Sequence, residues 1–181
     1  MIHATDSKGT FYILNKKDRT PIIFIHGVGL DHSIWDLQIN EFDNTVLIYD
    51  ILGHGKTPLN KNDLSFDDFS NQILNLMDEL KFNKVHLVGF SIGSLIARNF
   101  ATRFNNRLAS LTLLCSIFNR SDKEQKIVND RFEQTKKDQK LTKDALKRWF
   151  TEDFLNKNPD ISDKIFNILQ NNNMNNFIKI Y

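Results

Sequence analysis

The sequence predicts an α/β protein, a mostly parallel sheet flanked by helices. Four short apolar runs bounded by turn residues recur through the first 116 residues, and amphipathic helical stretches separate them. No strand pattern returns after Ser116.

The runs are PIIFIHG (21–27), NTVLIYD (44–50), KVHLVGF (84–90) and LASLTLLC (108–115). Few polar residues interrupt them, the pattern of strands buried on both faces. TFYILN (10–15) precedes them and reads as an antiparallel edge strand. Between the second and third runs, LSFDDFSNQILNLMDELKF (64–82) places Phe69, Ile73, Leu76, Met77 and Leu80 on one helical stripe. Ser65 and Asp68 are spaced as a capping box at its start. IGSLIARNFATRF (92–104) follows the third run at once and is apolar enough to pack on a sheet. Residues 119–148 are largely charged, with sparse apolar anchors at Ile127, Val128, Phe132, Leu141, Ala145 and Leu146. RWFTEDF, a Pro159–Asp160 break, the helical ISDKIFNILQ and the turn-like NNNMNN follow. The expected organisation is an N-terminal α/β core over residues 1–116 and a helical cap over 117–181, laid over the sheet.

The chain's 181 residues, 40% hydrophobic with 15 Phe, suffice for a sizeable core. Its 24 basic and 22 acidic residues leave a net charge of +2. The balance holds on both sides of residue 117, with 11 basic and 12 acidic residues before it and 13 and 10 after. Recruitment of nucleic acid or a membrane surface by charge is therefore not expected. No signal-peptide pattern opens the sequence and no apolar run approaches bilayer length, so the expected location is cytoplasmic. Cys115 is the only cysteine, which excludes an internal disulfide; it reads as a small buried apolar residue.

VHLVGFSIGS (85–94) carries the chemistry. Gly89-Phe90-Ser91-Ile92-Gly93 fits G-x-S-x-G, with a strand pattern before it and a helix pattern after it. A serine on such a turn projects its oxygen above the sheet, beside the free N–H groups of a helix N-terminus. HGVGL (26–30) also follows a strand, so the backbone N–H groups of Val28 and Ile92 can converge as an oxyanion hole. His26 and His54 read as supports of their glycine loops and His86 as a packed strand residue. His26, His32 and His54 show no metal-ligand spacing.

Taken in order, FIHGVG, YDILGHGKT and VHLVGFSIGS resemble the α/β-hydrolase superfamily, whose members carry HG, D-x-x-G-x-G and G-x-S-x-G at such intervals. DHSIWDLQIN resembles the family's first helix, with its W-x-x-Q pattern. ALKRWFTEDFLNKNPD is similar to the cap of esterase-like members, including 3-oxoadipate enol-lactonases. The resemblance implies an α/β-hydrolase-type sheet with a partial cap and Ser91 as nucleophile, with Val28 and Ile92 as backbone oxyanion donors. It also implies hydrolysis of a small carboxylic ester or lactone through an acyl-serine, with no cofactor or metal.

One part of the pattern is missing. The superfamily places its acid and then its histidine on later strands. Here all five histidines precede Ser91, and nothing resembling the last two strands follows LASLTLLC. Asp122 is the nearest acid and reads as a solvated loop residue. Without a base the hydroxyl stays protonated and is a poor nucleophile, and the fourth run becomes an open sheet edge prone to self-association. Three readings follow: an incomplete serine hydrolase with little activity as given, a non-catalytic small-ligand-binding or interaction module, or an enzyme whose histidine comes from a second subunit. The first is favoured, because the break falls between cap and final strands while HG, GHG and G-x-S-x-G stay together.

Overall fold

The computed structural model describes residues 1–181. The strands are β1 (Ile2–Thr5), β2 (Phe11–Asn15), β3 (Arg19–Ile25), β4 (Asn44–Tyr49), β5 (Val85–Phe90) and β6 (Leu108–Leu114). They form one six-stranded sheet in the order β1-β2-β4-β3-β5-β6. The β3–β4, β3–β5 and β5–β6 pairs are parallel, while β1–β2 and β2–β4 are antiparallel. The helices are α1 (Phe66–Glu79), α2 (Ile92–Arg103), α3 (Asp122–Asp138), α4 (Asp144–Trp149), α5 (Glu152–Lys157), α6 (Pro159–Gln170) and α7 (Met174–Ile180).

Successive strand residues face opposite sides of the sheet, and this alternation divides the core. Ile23, Ile25, Leu47, Tyr49 and Leu87 lie under Phe69, Ile73, Leu76 and Met77 of α1 and Ile96, Ala97 and Phe100 of α2. Ile22, Phe24, Val46 and Ile48 face the other way, onto Trp35 and Ile39. The helical stripe read between 64 and 82 is thus the buried face of α1, and its capping box forms, with the Ser65 N–H donating to Asp68 Oδ2 at 2.8 Å.

The structure corrects several expectations. TFYILN is not an edge: β1 pairs with it from Ile2↔Leu14 to Thr5↔Phe11, so β2 is buried. The four residues of β1 are mostly exposed and carry almost no alternation, which is why they gave no signal. DHSIWDLQIN forms only a short 3-10 turn, His32–Trp35, capped by Asp31, yet Trp35 and Ile39 still cover the second sheet face. The break expected at Pro159–Asp160 falls one residue earlier, at Asn158 between α5 and α6, and Pro159 itself sits in the first turn of α6, where a missing N–H costs nothing. NNNMNN is a helix start, with Asn173 Oδ1 accepting from the Asn176 N–H at 3.1 Å.

β6 is the open edge expected where the last two strands are absent, and it departs from expectation only in the burial of its faces. Its apolar run is not buried on both faces, and Leu111, Leu113 and Leu114 are each more than one-third exposed. β5 pairs with it on one side and no strand of this chain lies beyond it. Cys115, just past its end, is exposed with φ 52°, not buried. His86 is only partly buried and sits at this margin, its Nδ1 2.7 Å from Ser110 Oγ across the β5–β6 pair.

Candidate active site

Parallel strands that end level with one another deliver their following loops to a common edge. Ile25 of β3 pairs with Gly89 of β5, and Gly89 pairs with Leu113 of β6. The loop starting at His26, the turn at Ser91 and the segment after Leu114 therefore emerge side by side. Two glycines make this closeness possible. A methyl on Gly93 would lie 2.6 Å from Ile25 O and 2.7 Å from His26 O, and one on Gly89 would run into the Gly93 carbonyl. Only hydrogen fits at either position.

Ser91 itself has φ 56° and ψ −119°, the mirror image of an ordinary extended conformation and costly for any residue with a Cβ. Its N–H continues the sheet ladder to Leu114 O at 3.0 Å, and its carbonyl accepts from the Ser94 N–H at 2.9 Å and the Ser94 hydroxyl at 2.5 Å. The backbone is thus held from both sides. The Ser91 side chain makes no capping bond to α2, so its hydroxyl is left to a cavity of about 450 Å³. Val28, Ser91 and Ile92, the three residues singled out from the sequence, all line that cavity. The remaining wall is mostly apolar, with Phe66, Leu95, Ile117, Val128 and Trp149 among its members, and three arginines, Arg120, Arg131 and Arg148, also face it. No histidine, aspartate or glutamate lines it.

The buried histidines act as struts. His26 Nδ1–H donates to Gly27 O at 2.8 Å, while Nε2 accepts from the Ile51 N–H at 3.1 Å, tying the loop after β3 to the end of β4. His54 Nε2 accepts from the Gly29 N–H at 2.9 Å, and its Nδ1–H points at Leu52 O at 3.2 Å. Each neutral ring spends one donor and one acceptor, so a second proton would face an N–H group. Burial lowers His26 to about 4 and, with the neighbouring His26, lowers His54 to about 3.

The sequence reading missed a buried ion pair beneath the same loops. Asp50 Oδ1 lies 2.7 Å from His32 Nδ1 and accepts the His32 N–H at 2.8 Å, while Oδ2 accepts the Lys56 N–H at 2.8 Å. Burial alone would pull His32 down and push Asp50 up. Their hydrogen bond and opposite charges outweigh burial, holding the imidazole above its usual range and the carboxyl below its own. DHS and YDILGHG contain these residues, but no spacing rule joins positions 18 apart. Asp122, the nearest acid, is the exposed first residue of α3 and does not reach the cavity.

The C-terminal helices close over these loops. Asn172 Nδ2 donates to Gly29 O at 2.8 Å, Lys164 pairs with Asp36 at 2.7 Å, and Ile180 joins the main core cluster beside Gly53. Gly29 packs against Phe177 and Leu169.

A mostly parallel sheet with a strained serine at its carboxyl edge, roofed by helices, defines an α/β protein with its site at the strand ends. The profile of the alpha/beta hydrolase fold family matches residues 20–167, and the chain belongs to that family. It is 26% identical over 174 residues to the (E)-2-((N-methylformamido)methylene)succinate hydrolase of Acinetobacter baylyi, covering 95% of this chain and 65% of that protein. It is 27% identical to 3-oxoadipate enol-lactonase 2 of the same organism, covering 90% of this chain and 61% of the relative. The crystal structure of the enol-lactonase from Burkholderia xenovorans superposes with a TM-score of 0.77 at 24% identity, over 98% of this chain and 71% of that one. The chain thus spans less than two-thirds of the length of both curated relatives. No helix is long and apolar enough to cross a membrane.

Proposed function

We propose that this chain carries the nucleophile and oxyanion half of a serine hydrolase acting on a small carboxylic ester or lactone. Residues 1–116 supply the catalytic core and 117–181 the cap. The observation that carries the reading is the strained backbone at Ser91, φ 56° and ψ −119°, held by ladder and helix bonds while the hydroxyl stays uncommitted above a cavity. Strain of this kind persists only where the surroundings impose it, and it is the geometry a G-x-S-x-G nucleophile needs. Attack by Ser91 Oγ on the acyl carbon forms an Oγ–C bond and places negative charge on the former carbonyl oxygen. The Val28 and Ile92 N–H groups receive that oxygen. Collapse expels the alkoxide or enolate, and water then releases the acid. The names of the two curated relatives, a hydrolase and an enol-lactonase, support this class of chemistry.

The hydroxyl proton needs an acceptor, and no histidine faces the cavity. In this reading turnover by the chain as given is weak and rises when a base is added. The test is hydrolysis of a short activated ester with and without imidazole, in the wild type and in Ser91→Ala. Imidazole-stimulated turnover that disappears in Ser91→Ala supports the proposal; equal rates in both proteins would refute it. The lack of a base favours one other reading, a non-catalytic module that binds a small ligand in the same cavity. Turnover dependent on Ser91 eliminates it.

A further inference from the structure

We propose that the end of the sheet at which β3, β4 and β5 begin is a docking groove for an acidic peptide segment of a partner protein. These strands are parallel, with Arg19 opposite Asn44 and Ile22 opposite His86, so their starts share one end of the sheet. β2 finishes and β1 begins there too, where Leu14 pairs with Ile2. Ser91 lies at the other end of β5, six strand residues away, or about 20 Å at about 3.3 Å per residue. The turn between β2 and β3 and the loop between α1 and β5 flank an open cleft of about 700 Å³.

The first observation is a local excess of positive charge. Lys16, Lys17, Arg19, Lys81 and Lys84 line the cleft against a single carboxylate, Asp18. A net charge of +2 over the whole chain conceals this concentration. Neighbouring acids are already engaged: Asp43 pairs with Arg19 at 3.4 Å, Asp78 pairs with Arg107 at 2.8 Å, and Glu79 accepts the Ser7 N–H at 3.0 Å. The Lys17 ammonium donates to Phe42 O. Lys16, Lys81 and Lys84 are exposed, and none of the three enters an ion pair. Like charges gathered without counterions hold a positive potential that an anionic partner relieves.

The second observation is that the backbone carrying these charges is pinned. Thr45 Oγ1 accepts the Lys17 N–H at 2.9 Å and its hydroxyl donates to Lys17 O at 2.5 Å, fixing the β2–β3 turn to the start of β4. Arg107 donates from Nε to Asn83 O and from Nη2 to Phe82 O, both at 2.8 Å, fixing the loop that bears Lys81 and Lys84. Backbone already ordered leaves a partner less freedom to remove on binding. Leu14, a core residue, also lines the cleft, as do Leu80 and Phe82, which pack against the same core. Ammonium groups around apolar surface suit a segment whose carboxylates flank one or two apolar side chains. Nucleic acid draws its affinity from many phosphate contacts, and three free lysines supply few. The exposed carboxylates of Asp43 and Asp78, beside Arg19 and near Leu80, repel a polyanion that extends past the cleft.

The test is fluorescence anisotropy with dye-labelled probes on the full chain. The probes are a peptide of glutamates and aspartates around one leucine and one phenylalanine, the same peptide with serine at both apolar positions, a lysine-for-acid counterpart, and a short oligothymidylate. Co-sedimentation with phosphatidylserine vesicles tests a membrane surface. The acidic peptide should bind and weaken at least about tenfold as NaCl rises from about 0.05 to about 0.5 M. The serine peptide should bind about fivefold more weakly, and the lysine peptide should not bind. Lys16→Gln, Lys81→Gly and Lys84→Gln should each lower affinity about two- to fivefold, and together more than about tenfold. Position 81 has φ 59°, a left-handed backbone that glycine adopts freely, so lost binding in Lys81→Gly is not lost folding, as thermal melting will show. Lys137→Gln, on α3, should match the wild type. Fluorophosphonate labelling of Ser91 should be the same with and without the peptide, which keeps this site separate from the proposed hydrolase. No binding of the acidic peptide, binding indifferent to salt or to the three lysines, or tighter binding of the oligothymidylate or vesicles through the same lysines would each overturn the proposal. So would a peptide that blocks labelling of Ser91, since it would occupy the other end of the sheet.

Discussion

Replacing Ser91 by glycine and by alanine should reverse the usual order of these residues. At an unstrained position glycine is less stable than alanine by about 0.5–1 kcal/mol, because its unfolded chain has more freedom to lose. At φ 56° and ψ −119° the comparison changes. A Cβ in left-handed backbone costs about 1–2 kcal/mol, and glycine avoids that cost. The difference leaves Ser91→Gly more stable than Ser91→Ala by about 0.5–1 kcal/mol, or about 1–4 °C in Tm for a chain of this size. Ser91→Ala itself should lie within about 0.5 kcal/mol of the wild type, since the hydroxyl makes no capping bond. Urea denaturation and calorimetry on the three proteins decide the matter. Ser91→Gly unfolding before Ser91→Ala would show that the turn stores no strain and would remove the main support for a nucleophile there.

Gly93→Ala drives a methyl to 2.6 Å from Ile25 O, so it should cost about 1–3 kcal/mol and reduce probe labelling of Ser91 as α2 moves away; wild-type labelling with unchanged stability would contradict the close packing. Asp50→Asn removes the charge that holds His32 and should cost about 3 kcal/mol at pH 6, measured by urea midpoint, with a change within 0.5 kcal/mol refuting a structural pair. His26 and His54 are held neutral in the fold at about 4 and about 3, while in the unfolded chain they bind protons below about 6.5, so stability should fall as pH drops from 6.5 to 4.5. His32, raised by Asp50, contributes fully across that window and loses its share only above it, so a flat urea midpoint between the two pH values would argue against the buried struts. The open backbone edge of β6 with its exposed Leu111 and Leu113 should make the chain self-associate in sedimentation, and Leu113→Lys should reduce that; a wild-type monomer at high concentration would exclude pairing through this edge.

The parts of the fold legible in the sequence are those where one local rule decides. Ile22 to Ile25 and Val46 to Tyr49 alternate between two buried faces, so their runs read as central strands. The stripe of α1 and its Ser65–Asp68 start are equally local. β1 was not legible because four mostly exposed residues gain their order from pairing with β2, a tertiary effect. The edge position of β6 is legible from the missing strands, whereas the exposure of its faces is not: an apolar run reports a preference, and whether it is covered depends on its neighbours. That Ser91, Val28 and Ile92 share one cavity is legible because glycines around a serine or after a strand leave a pattern. His32 with Asp50, and Arg131 with Arg148, come together only when loops and the helices after β6 fold over the sheet, and their separations follow no period.

The central claim is that the Ser91 oxygen is a nucleophile beside waiting backbone donors. Intact-mass and peptide analysis after treatment with a fluorophosphonate, with imidazole standing in for the base, tests it most directly. A single adduct is expected on the peptide containing Ser91, absent in Ser91→Ala and reduced in Gly93→Ala. A folded protein that takes up no probe at Ser91, with or without imidazole, would contradict it.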